Sequence, residues 1–148
     1  ESQFNPNAVS KANAVGIMQL KKDTADEVGV IDRTNPSESI EGGAKYISWN
    51  LDQFKQSEPI ALASYNYGIG NVQKAIFKDY DSYNQFSLAN PTPDDQYNWI
   101  QTNPNIPPET KDYVTKVLDY KKYIEQYELT NLVMSNKSYN KNQVRITE

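Results

Sequence analysis

The chain has 148 residues, Lys+Arg 15 against Asp+Glu 19, a net charge of -4, and neither His nor Cys. The length suits one domain with a sizeable core. Without His or Cys there is no Ser-His-Asp or Cys-His nucleophile, no His-bound zinc and no disulfide, so acid–base work falls to Asp, Glu, Lys or Tyr.

The acidic balance argues against a nucleic-acid module, which carries a basic face. No run reaches the roughly 20 apolar residues of a membrane span. No metal or cofactor is expected. No signal peptide is visible, and the abrupt start at Glu1 leads us to expect further residues upstream.

In chain order, Asn5-Pro6-Asn7 reads as a turn. The run "GIMQLKKDTADEVG" predicts a short helix closed by Gly29, a residue type favoured just past a helix end. In "NPSESIEGGAKYISWNLDQFKQ", Asn35 can cap, Pro36 suits the first helical position, and Glu38 stands where a capping box needs it. Ile40, Ala44, Ile47, Leu51 and Phe54 then predict one apolar stripe on that helix. "EPIALASYNYGIGNVQKAIF" reads as two helical pieces broken at Gly68 and Gly70, with Tyr65, Asn66 and Tyr67 beside the break.

The Pro- and Asn-rich stretch 81–108 predicts an irregular excursion with at most a short helix near Tyr97 to Ile100. Helical spacing resumes through Val114, Val117, Leu118 and either Tyr120 or Ile124. From Ser135 the sequence is polar and lacks an apolar period, so 135–148 is expected to be a flexible tail. No strand-like alternation, internal repeat or linker interrupts the rest. The expectation is a single compact all-α domain over 1–134, with at most a minor hairpin.

Three segments stand apart in chemistry. The first is Glu1-Ser2-x-Phe4-Asn5-Pro6-x-Ala8-x-Ser10 with Gly16-Ile17-Met18-Gln19-Leu20. The second is Ala63-Ser64-Tyr65-Asn66-Tyr67-Gly68, and the third is Ile106-Pro107-x-Glu109-Thr110-x-x-Tyr113-Val114. In this order they resemble the catalytic domain of the soluble lytic transglycosylases, glycoside hydrolase family 23, whose pattern is E-S-x-F-x-P-x-A-x-S, G-L-M-Q, A-Y-N-x-G and E-T-x-x-Y-V.

The resemblance implies a lysozyme-like helical domain of the α+β lysozyme superfamily, with a groove for peptidoglycan glycan strands and a first helix upstream of Glu1. It also bears on the lone acid at the head of the chain, since no second carboxylate occurs from Ser2 to Lys22. Most glycosidases use two carboxylates, whereas these enzymes are understood to use one. In that scheme the single Glu protonates the glycosidic oxygen between N-acetylmuramic acid and N-acetylglucosamine. It then takes the C6 hydroxyl proton as a 1,6-anhydro ring closes.

Carried over residue by residue, the resemblance makes Glu1 the catalytic acid and base. Ser10, Met18, Gln19, Tyr65, Asn66 and Tyr113 become substrate contacts, the Tyr113 hydroxyl pointing at the catalytic Glu. Gly16 and Glu109 become organisers of the site. Tyr67 departs from the small residue the family places after Y-N, which bears on the width of the groove.

Two other readings share the fold. One is hydrolysis of the same bond, as in goose-type lysozymes, which carry assisting aspartates that this stretch lacks. The other is a non-catalytic glycan-binding subunit. The expected setting is extracellular or at the cell wall, secreted or virion-associated, or within a phage, conjugation or secretion assembly.

Overall fold

The structure, a computed structural model, describes residues 2–144, with side chains through position 133; Glu1 lies outside the described residues. Among the described residues, seven helices follow a non-helical N-terminal segment: α1 Lys22–Val28, α2 Pro36–Gln53, α3 Glu58–Tyr67, α4 Ile69–Asp79, α5 Tyr83–Ala89, α6 Pro93–Thr102 and α7 Pro108–Val144. No strand occurs among them. Isolated antiparallel bridges join Val9 to Val15 and Val15 to Leu20.

The centre is α3. Its sequence is apolar nearly all round, and Pro59 through Ser64 are all buried, as expected of a helix enclosed on every side. It packs against α2, α4, α6 and α7. Around it, Phe54, Ile60, Val72, Ile76, Phe86, Ile100, Ile106 and Val114 form one core. A smaller cluster of Leu20, Ala25 and Val30, with Met18, Val28 and Tyr65 against it, fastens the N-terminal segment and α1.

Helix α7 runs antiparallel to α3 and is tied to it at both ends. Thr110 donates to Asn66 Oδ1 at 2.8 Å, and Lys121 pairs with Glu58 at 2.5 Å. Val114 is buried while Tyr120 and Ile124 are exposed. The helix continues to Val144, through the start of the segment read as a polar tail; residues 145–148 lie outside the described residues.

Several local expectations need correcting. The helix expected from Gly16 begins only at Lys22, because residues 16–20 are taken up in turns and in the Val15–Leu20 bridge. It does close at Gly29, whose φ of 79° is left-handed. Asn35 caps α2 by accepting from the N–H groups of Ser37 and Glu38. Glu38 does not return the bond, since its carboxylate accepts instead from the N–H groups of Ile31 and Asp32.

The buried face of α2 is Ser39, Gly42, Gly43, Tyr46 and Asn50. Phe54 is buried in the core and Ile47 packs against it, as the apolar stripe predicts, but Ile40 and Ala44 are exposed, so over the first half of the helix the stripe is one position out of phase. The two glycines explain the shift. A Cβ on Gly42 would lie 2.2 Å from Val30 Cγ2, and one on Gly43 would lie 2.6 Å from Met18 Cε. The face without side chains is therefore the one pressed against the N-terminal segment.

The break between α3 and α4 falls at Gly68 alone, while Gly70 is inside α4. The stretch read as an irregular excursion forms two helices. Ser82 caps α5, accepting from the Gln85 N–H. Thr92 and Asp95 make a reciprocal capping box at α6 with Pro93 at its first position.

Candidate active site

Residues 2–20 have almost no regular structure, so their shape rests on specific hydrogen bonds. Ser2 is buried, and its hydroxyl donates to the Ile17 carbonyl at 2.9 Å. Ser10 Oγ accepts from the N–H groups of Ala12 and Ala14, at 3.2 and 3.0 Å, pinching the loop between them. The Gln19 amide donates to the carbonyls of Ala8 and Gly16, at 3.2 and 2.8 Å. Arg33 reaches in from the α1–α2 connection to donate to the carbonyls of Asn13 and Leu20, each at 3.0 Å.

Gly16 is obligatory here on two counts. Its φ is 85°, and a Cβ would stand 1.9 Å from the Arg33 carbonyl oxygen. Next to it, the Met18 N–H donates to Ser39 Oγ at 3.2 Å, and the Met18 carbonyl accepts from the Tyr65 hydroxyl at 2.8 Å. The N-terminal segment is thus laced to both α2 and α3.

Between this segment, the end of α3 and the start of α7 lies a cleft of about 630 Å³. Five of the sequence-predicted residues line it: Ser10, Gln19, Tyr65, Asn66 and Glu109. Gly16 is buried behind that wall. Met18 is half-buried, its side chain against Gly43 of α2. Tyr113 is half-buried as well, its ring parallel to that of Tyr65 with centroids 6.4 Å apart. Tyr67, the departure from the small residue, also lines the cleft.

Asn66 is oriented by the Thr110 hydroxyl on its Oδ1. This contact fixes the rotamer of the Asn66 amide, an oxygen and a nitrogen each able to make more than one hydrogen bond. Thr110 is 2% exposed, and that hydrogen bond forms only if α3 and α7 are docked.

Sequence reasoning missed Tyr46, Lys21 and Thr24, which also line the cleft. Tyr46 packs its ring on Tyr65 at 5.2 Å and on Trp49 at 6.0 Å. Burial pushes its phenol above the usual range, and the Glu27 carboxylate adds to that. It was hidden by the misphased stripe on α2; a stripe drawn through Gly42 and Gly43 would have exposed it. No apolar period bears on Lys21 or Thr24, so no comparable signal marks them.

Among the described residues that line the cleft, only Lys21 and Glu109 carry formal charge. No cluster of three or more acidic residues able to hold a metal occurs among the described residues. No described helix is long and apolar enough to cross a membrane.

Comparison with known proteins gives a consistent result. The chain is 44% identical over 81 residues to the membrane-bound lytic murein transglycosylase F of Shewanella halifaxensis, covering 51% of this chain and 17% of that protein. It is 34% identical over 113 residues to the proteins of that name from Pasteurella multocida and Haemophilus influenzae, covering 72% of this chain and 21% of each of theirs. The chain thus spans about a fifth of the length of these relatives. The family model described as the transglycosylase SLT domain matches residues 1–86, and the chain belongs to that family.

Proposed function

We propose that this domain is the catalytic part of a peptidoglycan lytic transglycosylase. It cleaves the bond from N-acetylmuramic acid to N-acetylglucosamine and leaves 1,6-anhydromuramyl ends. The observation that carries this reading is the cleft itself. Ser10, Gln19, Tyr65 and Asn66 line it together, although they come from two segments far apart in sequence. The buried hydroxyl of Ser2 ties the chain directly after Glu1 to the Gly16–Leu20 turn beside them.

In this mechanism the carboxylic acid of Glu1 gives its proton to the glycosidic oxygen as the C1–O bond breaks. The muramyl 2-acetamido group steadies the positive charge at C1. The Glu1 carboxylate then removes the C6 hydroxyl proton, and O6 bonds to C1. Atoms balance without water, and Glu1 ends protonated for the next turnover. The acid must therefore be protonated before the reaction, which favours a partly apolar surrounding.

Asn66, held by Thr110, and the Gln19 and Ser10 side chains supply hydrogen bonds suited to N-acetyl groups. Tyr113 positions the Glu1 carboxyl, and Glu109 organises the α7 side of the site. The enzyme acts at the cell wall, outside the cytoplasm, as a secreted or virion-associated protein or within a phage, conjugation or secretion assembly.

The test is mass spectrometry of purified peptidoglycan after digestion. Fragments lacking one water relative to reducing ends, and their loss in Glu1→Gln, are expected. Fragments with hydrated reducing ends would mark a goose-type hydrolase instead. Glycan binding without cleavage by either form would mark a non-catalytic subunit.

A further inference from the structure

The protein as a whole is acidic, with net charge -4, so its overall field repels an anionic polymer. Attraction to such a polymer has to be local. Among the described residues, Lys21 is the single cation on the wall of the cleft. The other lysines of known pairing are engaged: Lys22 with Asp26 at 2.7 Å, Lys45 with Glu41 at 2.8 Å, and Lys121 with Glu58. Lys21 has no ion pair or hydrogen-bonded side-chain partner among the described residues.

Its backbone is anchored. The preceding Leu20 is 2% exposed. Leu20 also exchanges both main-chain hydrogen bonds with Val15, at 3.1 and 3.0 Å. The Lys21 carbonyl accepts from Ala25 at 2.9 Å. Lys21, exposed and on the cleft wall, is thus held on a fixed stem. One turn on, Thr24 adds a hydroxyl to the same wall.

We propose that Lys21 is a specificity-determining residue that binds a carboxylate carried by the muramyl sugar, and so separates muramyl strands from uncharged N-acetylglucosamine polymers. This rests on the glycan-strand reading of the cleft. The carboxylate has two sources with the same chemistry. One is the lactyl group on C3 of muramic acid when its peptide has been removed. The other is a carboxylate of the stem peptide when it is in place. An N-acetylglucosamine chain offers neither.

The experiment compares wild type with Lys21→Met, Lys21→Glu and Lys21→Arg, each checked for an unchanged melting curve. Three probes are used: uncrosslinked muramyl strands with stem peptides, the same strands stripped by an amidase, and chito-hexaose. KM and kcat are measured on the two muramyl strands, and Kd is measured by calorimetry on all three probes. Lys21→Met should raise KM and Kd on muramyl strands about tenfold, the order of one charge-assisted contact, with a smaller effect on kcat. Lys21→Glu should do worse, and Lys21→Arg should be near wild type. Added salt should erase the difference between wild type and Lys21→Met, and chito-hexaose should bind all forms equally.

Loss confined to stem-bearing strands assigns the stem carboxylate, and loss on stripped strands assigns the lactyl group; either supports the proposal. Wild-type cleavage with unaltered KM and Kd in Lys21→Met and Lys21→Glu would overturn it while leaving the lytic reading intact. A wild type that neither cleaves nor binds muramyl strands would overturn both.

Discussion

Gly42 offers a direct measure of how closely the end of α1, with the N-terminal segment beside it, presses on α2. In an ordinary helix interior, glycine to alanine stabilises by about 1 kcal/mol. Here the new methyl would lie 2.2 Å from Val30 Cγ2, with Val28 Cγ2 at 3.1 Å and Leu20 Cδ1 at 3.2 Å. Carbon atoms settle near 3.5–4.0 Å, so Val30 would have to retreat by about 1.5 Å. It is 6% exposed and packed with Leu20 and Ala25, which leaves little room to do so.

Overpacking of this kind costs about 1–3 kcal/mol. Gly42→Ala should therefore destabilise by up to about 2 kcal/mol once the helix gain is subtracted. Val30→Ala alone should cost about 2 kcal/mol through the space it leaves. In the double variant the methyl added on α2 has room, so the two losses should fall short of additivity by about 1–2 kcal/mol. Urea unfolding followed by circular dichroism measures all four corners of the cycle. A Gly42→Ala protein more stable than wild type, or strict additivity, would show that α2 and the segment do not meet as described.

Two further expectations concern tyrosines. Tyr113→Phe should keep the melting temperature within a few degrees yet lower turnover on purified peptidoglycan by about 10- to 1,000-fold, the range for losing a partner that positions an acid; wild-type turnover would make Tyr113 a packing residue. Burial raises the phenols of Tyr46 and Tyr83 above the usual value. Their neutral forms are thus favoured in the folded state, and the stability they confer is full below the unfolded value of about 10 and lost as pH rises through the folded ones. Urea titrations between about pH 9 and pH 11 should show that decline, with a flatter limb in Tyr46→Phe.

Chain punctuation was the most readable feature. Gly29, Asn35 and Gly68 each mark a boundary through local backbone or capping preferences, which need no knowledge of what lies nearby. Apolar residues marked the core-facing end of α2 at Ile47 and Phe54 but not its first half, where the buried positions are Ser39, Gly42 and Gly43 ahead of Tyr46. What selects that face is the proximity of Val30 and Met18, a tertiary fact. The same holds for α5 and α6: their caps at Ser82 and Thr92 are visible in the sequence, but the Asn- and Pro-rich composition outweighed them.

For the site, the motif order brought Ser10, Gln19, Tyr65, Asn66 and Glu109 to one cleft, because motifs preserve spacing on a shared scaffold. Thr110 was legible only as part of the E-T pair. Its contact with Asn66 depends on the docking of α7, which no local pattern encodes.

The segment from Ser2 to Leu20 is held largely by donors aimed at main-chain oxygens: Ser2 at Ile17, Gln19 at Ala8 and Gly16, Arg33 at Asn13 and Leu20, and Tyr65 at Met18. A carbonyl is the same whichever residue bears it. The burden of preserving this shape therefore falls unevenly on the chain. Receiving positions such as Ala8 and Ile17 are free to drift in side chain without moving the backbone, while the donors, Gly16 and Asn13 (φ 59°) are not. A segment built this way can change those side chains behind the cleft and keep its form.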